Sequence, residues 1–371
     1  MCSIKPNYIK ELFVLFLFTF CGNSLFAFDF IVDGIYYNRI PGTFEVEVTD
    51  GNYYYTGEIM IPKTVEYHDT LFRVTRIGED AFADCKDLTY VNILNGITKI
   101  GNRAFKECTR LKTIEIPKTV THIGDKVFYS CNNLTYVDLP DSVVSIGDFL
   151  FAGCKNLTTL TLPNSITTVP FMAFADCDGL TEIKIPEGVT SIESHAFASC
   201  SNVKSVQLPN SLRKIGVAAF WGCTNVTKLK IPNGVTEIGN NAFESFENIT
   251  TIEIPASVQK IGKNIVDGCK NLSSIKVSPF NPVYDSRDNC NAIMETETNK
   301  LISGCRSTII PKNTSCIGTC AFAGSDIVNI ELPNSVTKID SSAFASCESL
   351  TNIKIPNTVA SIGESAFYNC I

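Results

Sequence analysis

Apolar residues return along this chain with a period of 23 residues, and that period dominates its pattern of hydrophobic and polar positions. In the unit 103–125, Ile114 and Ile116 alternate with polar residues until a proline ends the run. The same proline recurs in seven successive units, at Pro117, Pro140, Pro163, Pro186, Pro209, Pro232 and Pro255. A fixed period of this length is the sequence signature of a stacked solenoid. The pattern therefore predicts a repeat protein.

Within one unit, the pattern predicts a strand, a second extended pass and one turn of helix. The alternation before Pro117 is typical of a half-buried strand, which ends there because proline has no N–H to continue a ladder. Val120 and Ile123 mark the second extended pass, and Gly124 turns the chain. In 104–108, the Ala-Phe-x-x-Cys spacing would place three apolar side chains on one face of a short helix.

One unit is too short to bury a core of its own, so neighbouring units must share their apolar interior. We expect Phe105, Phe128 and Phe220 to lie in that interior. We also expect the strands of adjacent units to lie about 4.8 Å apart and to form one continuous sheet.

Departures from the period divide the chain into segments. The aromatic stretch before residue 77 is out of register, and alternation at 44–48 and 54–61 suggests antiparallel strands that cover the open end of the array. A polar run near 284–290 and two short apolar runs after it indicate an inserted hairpin. The predicted segments are a signal peptide at 1–27, an N-terminal β cap at 28–76, repeats at 77–277, an inserted β-hairpin at 278–310 and further repeats at 311–371.

The first residues have the pattern of a secretion signal. Lys5 and Lys10 give a positive start, an apolar run follows, and Ala27 offers a small residue for cleavage. We therefore expect a secreted or cell-surface protein. Lipid anchoring through Cys21 is less favoured, because Phe20 stands where a lipoprotein signal has a small residue.

Composition narrows the classes of partner. The chain has 371 residues, of which 44% are hydrophobic and 19% charged, so it is too apolar for a disordered protein. Its formal net charge of −7 argues against nucleic acid, because phosphates call for a basic surface.

Most of the sixteen cysteines occupy one repeat position, so their number alone does not indicate a disulfide framework. The column contains Cys85, Cys108, Cys131, Cys154, Cys177, Cys200, Cys223 and Cys269. Phe246 fills the same position once, which a packing slot tolerates and a bonding scheme does not, so we interpret the column as buried free thiols. Cys290 and Cys305, which flank the predicted hairpin, are the better candidates for a disulfide bond.

The sequence gives little support for catalysis, a metal or a cofactor. His68, His122 and His195 stand at different repeat positions, so the register brings no two of them to one face. A single file of cysteines does not supply the clustered ligands of a zinc site. We therefore predict a protein that is not an enzyme.

The outward positions of the predicted strands are where a ligand would be recognised. In chain order they are Asn92, Glu115, Asp138, Thr161, Lys184, Gln207, Lys230, Glu253, Lys276, Glu331 and Lys354. One interpretation is a solvated surface with cross-strand charge pairs. The other is a polar docking face for a protein. Its amphipathic anchors would be Tyr90 and Tyr136 on the same sheet, and Trp221 at an exposed corner beside Phe220. The binding residues that we predict are Tyr90, Glu115, Tyr136, Asp138, Lys184, Lys230 and Trp221.

The repeated pattern Leu-x-x-Ile-x-Ile-Pro-x-x-Val-x-x-Ile-Gly-x-x-Ala-Phe-x-x-Cys resembles the BspA-like, or Treponema-type, leucine-rich repeats, over about residues 57–371. It departs from that pattern at 169–170, 192–193 and 339–340. The resemblance implies a leucine-rich-repeat solenoid of strand–turn–short-helix units, displayed on a cell surface or secreted. It also implies a non-enzymatic role in adhesion, through binding of host or bacterial surface proteins. The alternatives are a structural array that self-associates through its C-terminal rung and a carbohydrate-binding module.

Overall fold

A computed structural model of the protein describes residues 28–370. Each repeat forms one rung with three sides: a first strand, a second strand and a turn segment. The side formed by the first strands is called the strand face, the side formed by the second strands is the second sheet, and the side formed by the turn segments is the turn side. In one rung these sides are Thr113–Glu115, His122–Ile123 and the turn segment 124–131.

The strands are short and follow one another closely along the chain. The N-terminal ones are β1 (Phe30–Val32), β2 (Ile35–Arg39), β3 (Glu45–Thr49), β4 (Gly57–Ile61), β5 (Thr64–Tyr67) and β6 (Thr70–Ile77). The first strands that follow are β7 (Leu88–Ile93), β9 (Thr113–Glu115), β11 (Tyr136–Asp138), β13 (Thr159–Thr161), β15 (Glu182–Lys184), β17 (Ser205–Gln207), β19 (Lys228–Leu229), β21 (Thr251–Ile254) and β23 (Ser274–Val277). The second strands between them are β8 (Lys99–Ile100), β10 (His122–Ile123), β12 (Ser145–Ile146), β14 (Thr168–Val169), β16 (Ser191–Ile192), β18 (Lys214–Ile215), β20 (Glu237–Ile238) and β22 (Lys260–Ile261).

The remaining elements begin in the inserted segment. They are β24 (Tyr284–Asp285), a 3₁₀ helix (Arg287–Asn289), β25 (Ala292–Glu295), β26 (Lys300–Gly304), β27 (Cys316–Ile317), β28 (Asn329–Glu331), β29 (Lys338–Ile339), β30 (Asn352–Lys354) and β31 (Ser361–Ile362).

The N-terminal strands combine antiparallel and parallel pairing. β1, β2 and β3 are antiparallel neighbours, and β5 pairs antiparallel with β6. β3 lies parallel to β6, which joins these strands to the second sheet. The expectation of antiparallel pairing is wrong for β4, which pairs in parallel with β7. Gly57–Ile61 is therefore the first strand of the first rung.

The short helices predicted from the Ala-Phe-x-x-Cys spacing are not present. The segment 101–108 is a run of turns, because Arg103 and Glu107 have left-handed φ angles of 56° and 57° that interrupt a helix. Backbone N–H groups of the turn segments donate alternately to a carbonyl of the next rung and to a carbonyl of their own rung. Phe82 donates to the Ala104 carbonyl of the next rung at 2.7 Å, whereas Cys85 donates to Phe82 of its own rung at 3.2 Å. The turn side is thus a third hydrogen-bonded ladder.

The strand face is not the one continuous sheet that we expected from the period. Pairing runs through β9, β11 and β13, then through β15, β17 and β19, and then through β21 and β23, with a break between each group.

The second sheet also breaks, first between β12 and β14 and again after β22. The first of these breaks has a visible cause. In most other rungs the residue after the second strand, usually glycine, donates to the preceding rung, as Gly101 does to Ile77 at 2.8 Å and Gly124 to Ile100 at 3.0 Å. Pro170 stands at this position after β14 and has no N–H to donate. The missing donor accounts for the break.

A column of phenylalanines fills the interior. Neighbouring rings lie 5.0 to 6.4 Å apart with planes within 20° of parallel, from Phe82 to Phe243. Phe105, Phe128 and Phe220 are fully buried, as predicted. The column gives way to Ile265-Val266 and resumes at Phe322, where a second core cluster is found.

The inserted segment forms a rung without a turn segment. β25 and β26 pair antiparallel, and β26 then pairs parallel with β27, so the hairpin begins a new sheet with the later second strands β27, β29 and β31. On the turn side, the rungs before and after it meet directly. Gly324 has a φ of 62°, and a Cβ at this position would lie 2.6 Å from Asp267 Oδ1. The hairpin therefore leaves a narrow seam between two turn segments.

Replacing one ring of the column should destabilise the whole array. We expect Phe128→Ala to lower the free energy of unfolding by about 3–5 kcal/mol, because it removes a fully buried ring between two stacked neighbours. Tyr136→Ala, on the exposed strand face, should cost less than about 1 kcal/mol. Urea unfolding followed by circular dichroism measures both changes, and equal losses would contradict the shared core.

Candidate functional site: the strand face

The strand face presents a regular set of outward side chains. In β9, Ile114 is buried while Thr113 and Glu115 are exposed, since successive side chains of a strand point to opposite sides. The same alternation holds in β11, β15 and β21. The prediction of which residues point outward is therefore confirmed for these strands.

The structure brings six of the seven predicted binding residues to this face. They are Tyr90, Glu115, Tyr136, Asp138, Lys184 and Lys230. Glu115 and Asp138 are direct register partners in adjacent strands. Trp221, which we expected at an exposed corner, lies on the turn side and is 40% exposed; its Nε1 donates to a Glu244 carboxylate oxygen at 3.0 Å. Trp221 cannot therefore act in one site with the tyrosines.

Lysines predominate in the middle of the strand face. The lysines on the outward positions of β15, β19 and β23 and just after β19 are Lys184, Lys228, Lys230 and Lys276. They make none of the salt bridges found among residues 28–370. Glu253 is the register partner of Lys276 without bridging to it. Cross-strand charge pairing therefore does not account for these lysines.

Two grooves lie on the strand face where strand pairing is interrupted. One, of about 920 Å³, lies over β19 and β21, and another, of about 550 Å³, lies over β13 and β15. The inward residues beside these gaps, Leu160 and Leu229, are only half-buried, whereas the equivalent Val137 is fully buried. Both grooves thus reach toward the core. The repeat pattern gave no signal for the larger groove.

A further cavity lies at the N-terminal end. It has a volume of about 430 Å³ and is lined by Tyr53 and Tyr54, both largely exposed, and by several aspartates. Two of these aspartates are already paired, Asp80 with Arg103 at 2.6 Å and Asp84 with the Lys106 ammonium at 3.7 Å. Its negative charge is therefore partly neutralised from within the protein.

The cysteine column is buried, as predicted, and its thiols serve packing. From Cys108 onward, each Sγ of the column donates to a phenylalanine carbonyl of the preceding rung, as Cys108 does to Phe82 at 3.1 Å and Cys131 to Phe105 at 3.0 Å. Burial raises the pKa of the Cys131 thiol to about 12 and that of the Cys85 thiol to about 11. Because the thiolate is the reactive form, these groups are chemically inert at neutral pH.

The predicted Cys290–Cys305 disulfide bond is not seen in the structure. Both residues are free and buried. The thiol of Cys290 points to the carbonyl of Ala292 at 3.7 Å, and that of Cys305 points to the carbonyl of Asn291 at 3.4 Å. The two side chains therefore face different carbonyls of the same turn.

One carboxyl group in the seam between turn segments has a shifted pKa. Burial raises the pKa of Asp267 to about 6, and the charge of Glu244 adds to the shift. Asn264, in the same segment, has a buried Oδ1 without a hydrogen-bond partner. The seam is therefore a poorly solvated polar region between two core clusters.

The described residues were also compared with the requirements of a metal site and of a membrane-spanning helix. Within residues 28–370, no group of three or more His, Cys, Asp or Glu side chains could hold a metal ion. In the same range, no helix is long and apolar enough to cross a membrane. The predicted signal peptide and Cys21 lie outside the described residues.

Stacked three-sided rungs with an inward column of leucines and phenylalanines define a leucine-rich-repeat solenoid. The model of the BspA type leucine rich repeat region matches residues 75–204, 169–287 and 298–371, so the chain belongs to the BspA-type leucine-rich repeat family. No curated protein matches the chain.

Solved structures of leucine-rich repeat proteins resemble the chain over most of its length. A protein from Bacteroides ovatus is 27% identical, with a TM-score of 0.65 and coverage of 93% of each chain. A leucine rich cell surface protein from Faecalibacterium prausnitzii is 26% identical, with a TM-score of 0.55 over 92% of this chain and 80% of that one. A Treponema pallidum protein is 26% identical, with a TM-score of 0.50 over 54% of this chain and 91% of that one.

The cysteine column should resist thiol reagents in the native state. We expect iodoacetamide at pH 8 to leave Cys131 unmodified, because its thiol is buried and protonated, and to modify the less buried Cys320 and Cys370 first. Mass spectrometry of tryptic peptides measures the labelling, with protein in guanidinium as the control. Rapid labelling of native Cys131 would contradict the packing role.

Stability should fall as pH rises through the titration of Asp267. A carboxyl group has a pKa near 3.9 when unfolded, so the folded protein binds this proton more tightly between about pH 4 and 6. The stability cost therefore develops across that window and is complete above it. We expect the free energy of unfolding of Asp267→Asn to be about 2–3 kcal/mol higher than that of the parent protein at pH 7.5, and equal to it near pH 4.

Urea unfolding at both pH values measures this difference. Asp176→Asn is the matched control, since Asp176 is exposed in another turn segment and should show no such change. A difference between Asp267→Asn and the parent protein that is the same at both pH values would contradict the assignment.

Proposed function

We propose that this protein is a non-enzymatic surface protein that binds other proteins through its strand face, in the manner of an adhesin. The observation that carries the proposal is the set of lysines at residues 184, 228, 230 and 276, which are exposed on the strand face and form none of the salt bridges found among residues 28–370. Charged groups arranged in this way steer and orient a protein partner of opposite charge.

Two other features support a binding role. Tyr136 is 44% exposed on the strand face, and Tyr90 lies two rungs earlier in the same column. Tyrosines contribute strongly to protein interfaces because a large apolar ring carries a polar tip. The acidic pair formed by Glu115 and Asp138 lies beside Tyr136, so the face offers regions of opposite charge to a partner.

The proposed location is the cell surface or the extracellular medium. Its support is the signal-like sequence at 1–27 together with membership of the BspA-type family. The similar protein from Faecalibacterium prausnitzii is described as a cell surface protein, which is consistent with this location. The proposed partners are proteins of host matrix or of bacterial surfaces.

Charge reversal on the strand face should weaken binding. Full-length protein would be tested against immobilised host matrix proteins and bacterial surface proteins, and compared with the Lys184→Glu/Lys230→Glu variant. We expect at least a tenfold loss of affinity, about 1.4 kcal/mol, because two unpaired cations become anions.

The control is Lys99→Glu/Lys263→Glu, which changes the net charge equally on the second sheet and the turn side. Equal binding by both variants would remove Lys184 and Lys230 from the site. Capture of the protein by immobilised copies of itself would instead favour a self-associating array. Binding to a glycan array alone would favour a carbohydrate-binding module.

A further inference from the structure

The junction between β19 and β21 is open on one side and closed on two. Among the strands of residues 28–370, β19 pairs only with β17, and β21 only with β23. The second sheet continues across the junction through β18, β20 and β22. The turn side continues too, with Phe220 donating to the Ala242 carbonyl at 3.1 Å and Gly222 to Glu244 at 3.0 Å. The two rungs are thus held together behind a groove that separates their first strands.

The strand edges beside this groove have unused backbone groups. Away from the groove, the usual bonds between successive rungs are present: Thr227 N–H donates to the Lys204 carbonyl at 3.3 Å, and Ser273 N–H donates to the Thr250 carbonyl at 3.0 Å. The equivalent N–H of Thr250 reaches no backbone carbonyl among residues 28–370. An unpaired strand edge is a template to which an extended chain can add.

The side chains around the groove indicate what such a chain would carry. Leu229 is half-buried at its floor, where it offers an apolar contact. Lys228, Lys230 and Lys276 line the groove with a single carboxylate, Glu253. This local excess of positive charge stands in a protein of net charge −7. The groove therefore favours an acidic occupant over a basic one.

We propose that the groove between β19 and β21 binds an extended, acidic segment of a partner protein by strand addition. The proposal rests on the proposed function and names the chemistry of its partner. Alternate side chains of an added strand face the same way, so one set would lie beside Leu229 and the other beside Lys228 and Lys230. An alternating acidic and apolar sequence fits both requirements.

The test uses the full chain and a fluorescein-labelled peptide of eight residues that alternates glutamate and valine. Fluorescence anisotropy measures its affinity. We expect Lys228→Glu/Lys230→Glu/Lys276→Glu to weaken binding at least tenfold. The matched control, Lys99→Glu/Lys263→Glu/Lys312→Glu, should bind as the parent protein does, because those lysines lie away from the groove. Circular dichroism checks that each variant is folded.

Two further peptides separate charge from strand addition. A lysine–valine peptide should not bind, and a glutamate–proline peptide should bind at least tenfold more weakly than glutamate–valine, because proline has no N–H to pair with a strand edge. Equal binding of glutamate–proline overturns strand addition, and equal binding of lysine–valine overturns the acidic preference. A third outcome separates this inference from the proposed function. If the glutamate–valine peptide does not bind, but Lys184→Glu/Lys230→Glu still weakens capture by a partner protein, the inference is overturned and the proposed function stands.

Discussion

The rung-to-rung hydrogen-bond ladder is the constraint on which this structure depends. No rung can satisfy its own backbone, because its strands are too short to fold back on themselves and its turn segment alternates between local and neighbouring acceptors. Phe82, for example, donates to Ala104 in the next rung. The interior follows from the same dependence, since a ring such as Phe128 is buried only when Phe105 and Phe151 lie against it. Backbone pairing and side-chain burial therefore impose one common period.

That period made much of the fold predictable from sequence. Ile114 and Phe105 were placed in the interior and Glu115 outside, because a repeat samples each position many times and averages out chance substitutions. The turn segments were predicted as short helices because Ala104, Phe105 and Cys108 have helical spacing. Spacing cannot distinguish a helix from a turn in which Arg103 adopts a left-handed φ, and here hydrogen bonds to the neighbouring rung favour the turn.

The candidate site was predicted less completely, because it depends on departures from the repeat. The outward lysines could be identified one by one, but the lack of salt-bridge partners is a property of their neighbours in space. The break beside β14 has a visible cause in Pro170, which removes a donor. The gap between β19 and β21 has no comparable residue in the sequence. Trp221 was predicted at an exposed corner beside Phe220, and it is exposed on the turn side, where its partner Glu244 belongs to the next rung and could not be named from the sequence.

The buried cysteine column has a consequence for the maturation of the chain. Before folding, every one of these thiols is exposed with an ordinary reactivity, and neighbours from Cys85 to Cys223 stand 23 residues apart along the chain. In an oxidising compartment, thiols of neighbouring units could be cross-linked most readily, because the cost of closing a loop grows with its length. A cross-link between units that are not neighbours would hold the rungs out of register. Disulfide formation takes seconds to hours. In such a compartment, stacking would have to precede oxidation, because a chain still unfolded at Cys131 or Cys154 would be held in a non-native form by disulfide bonds.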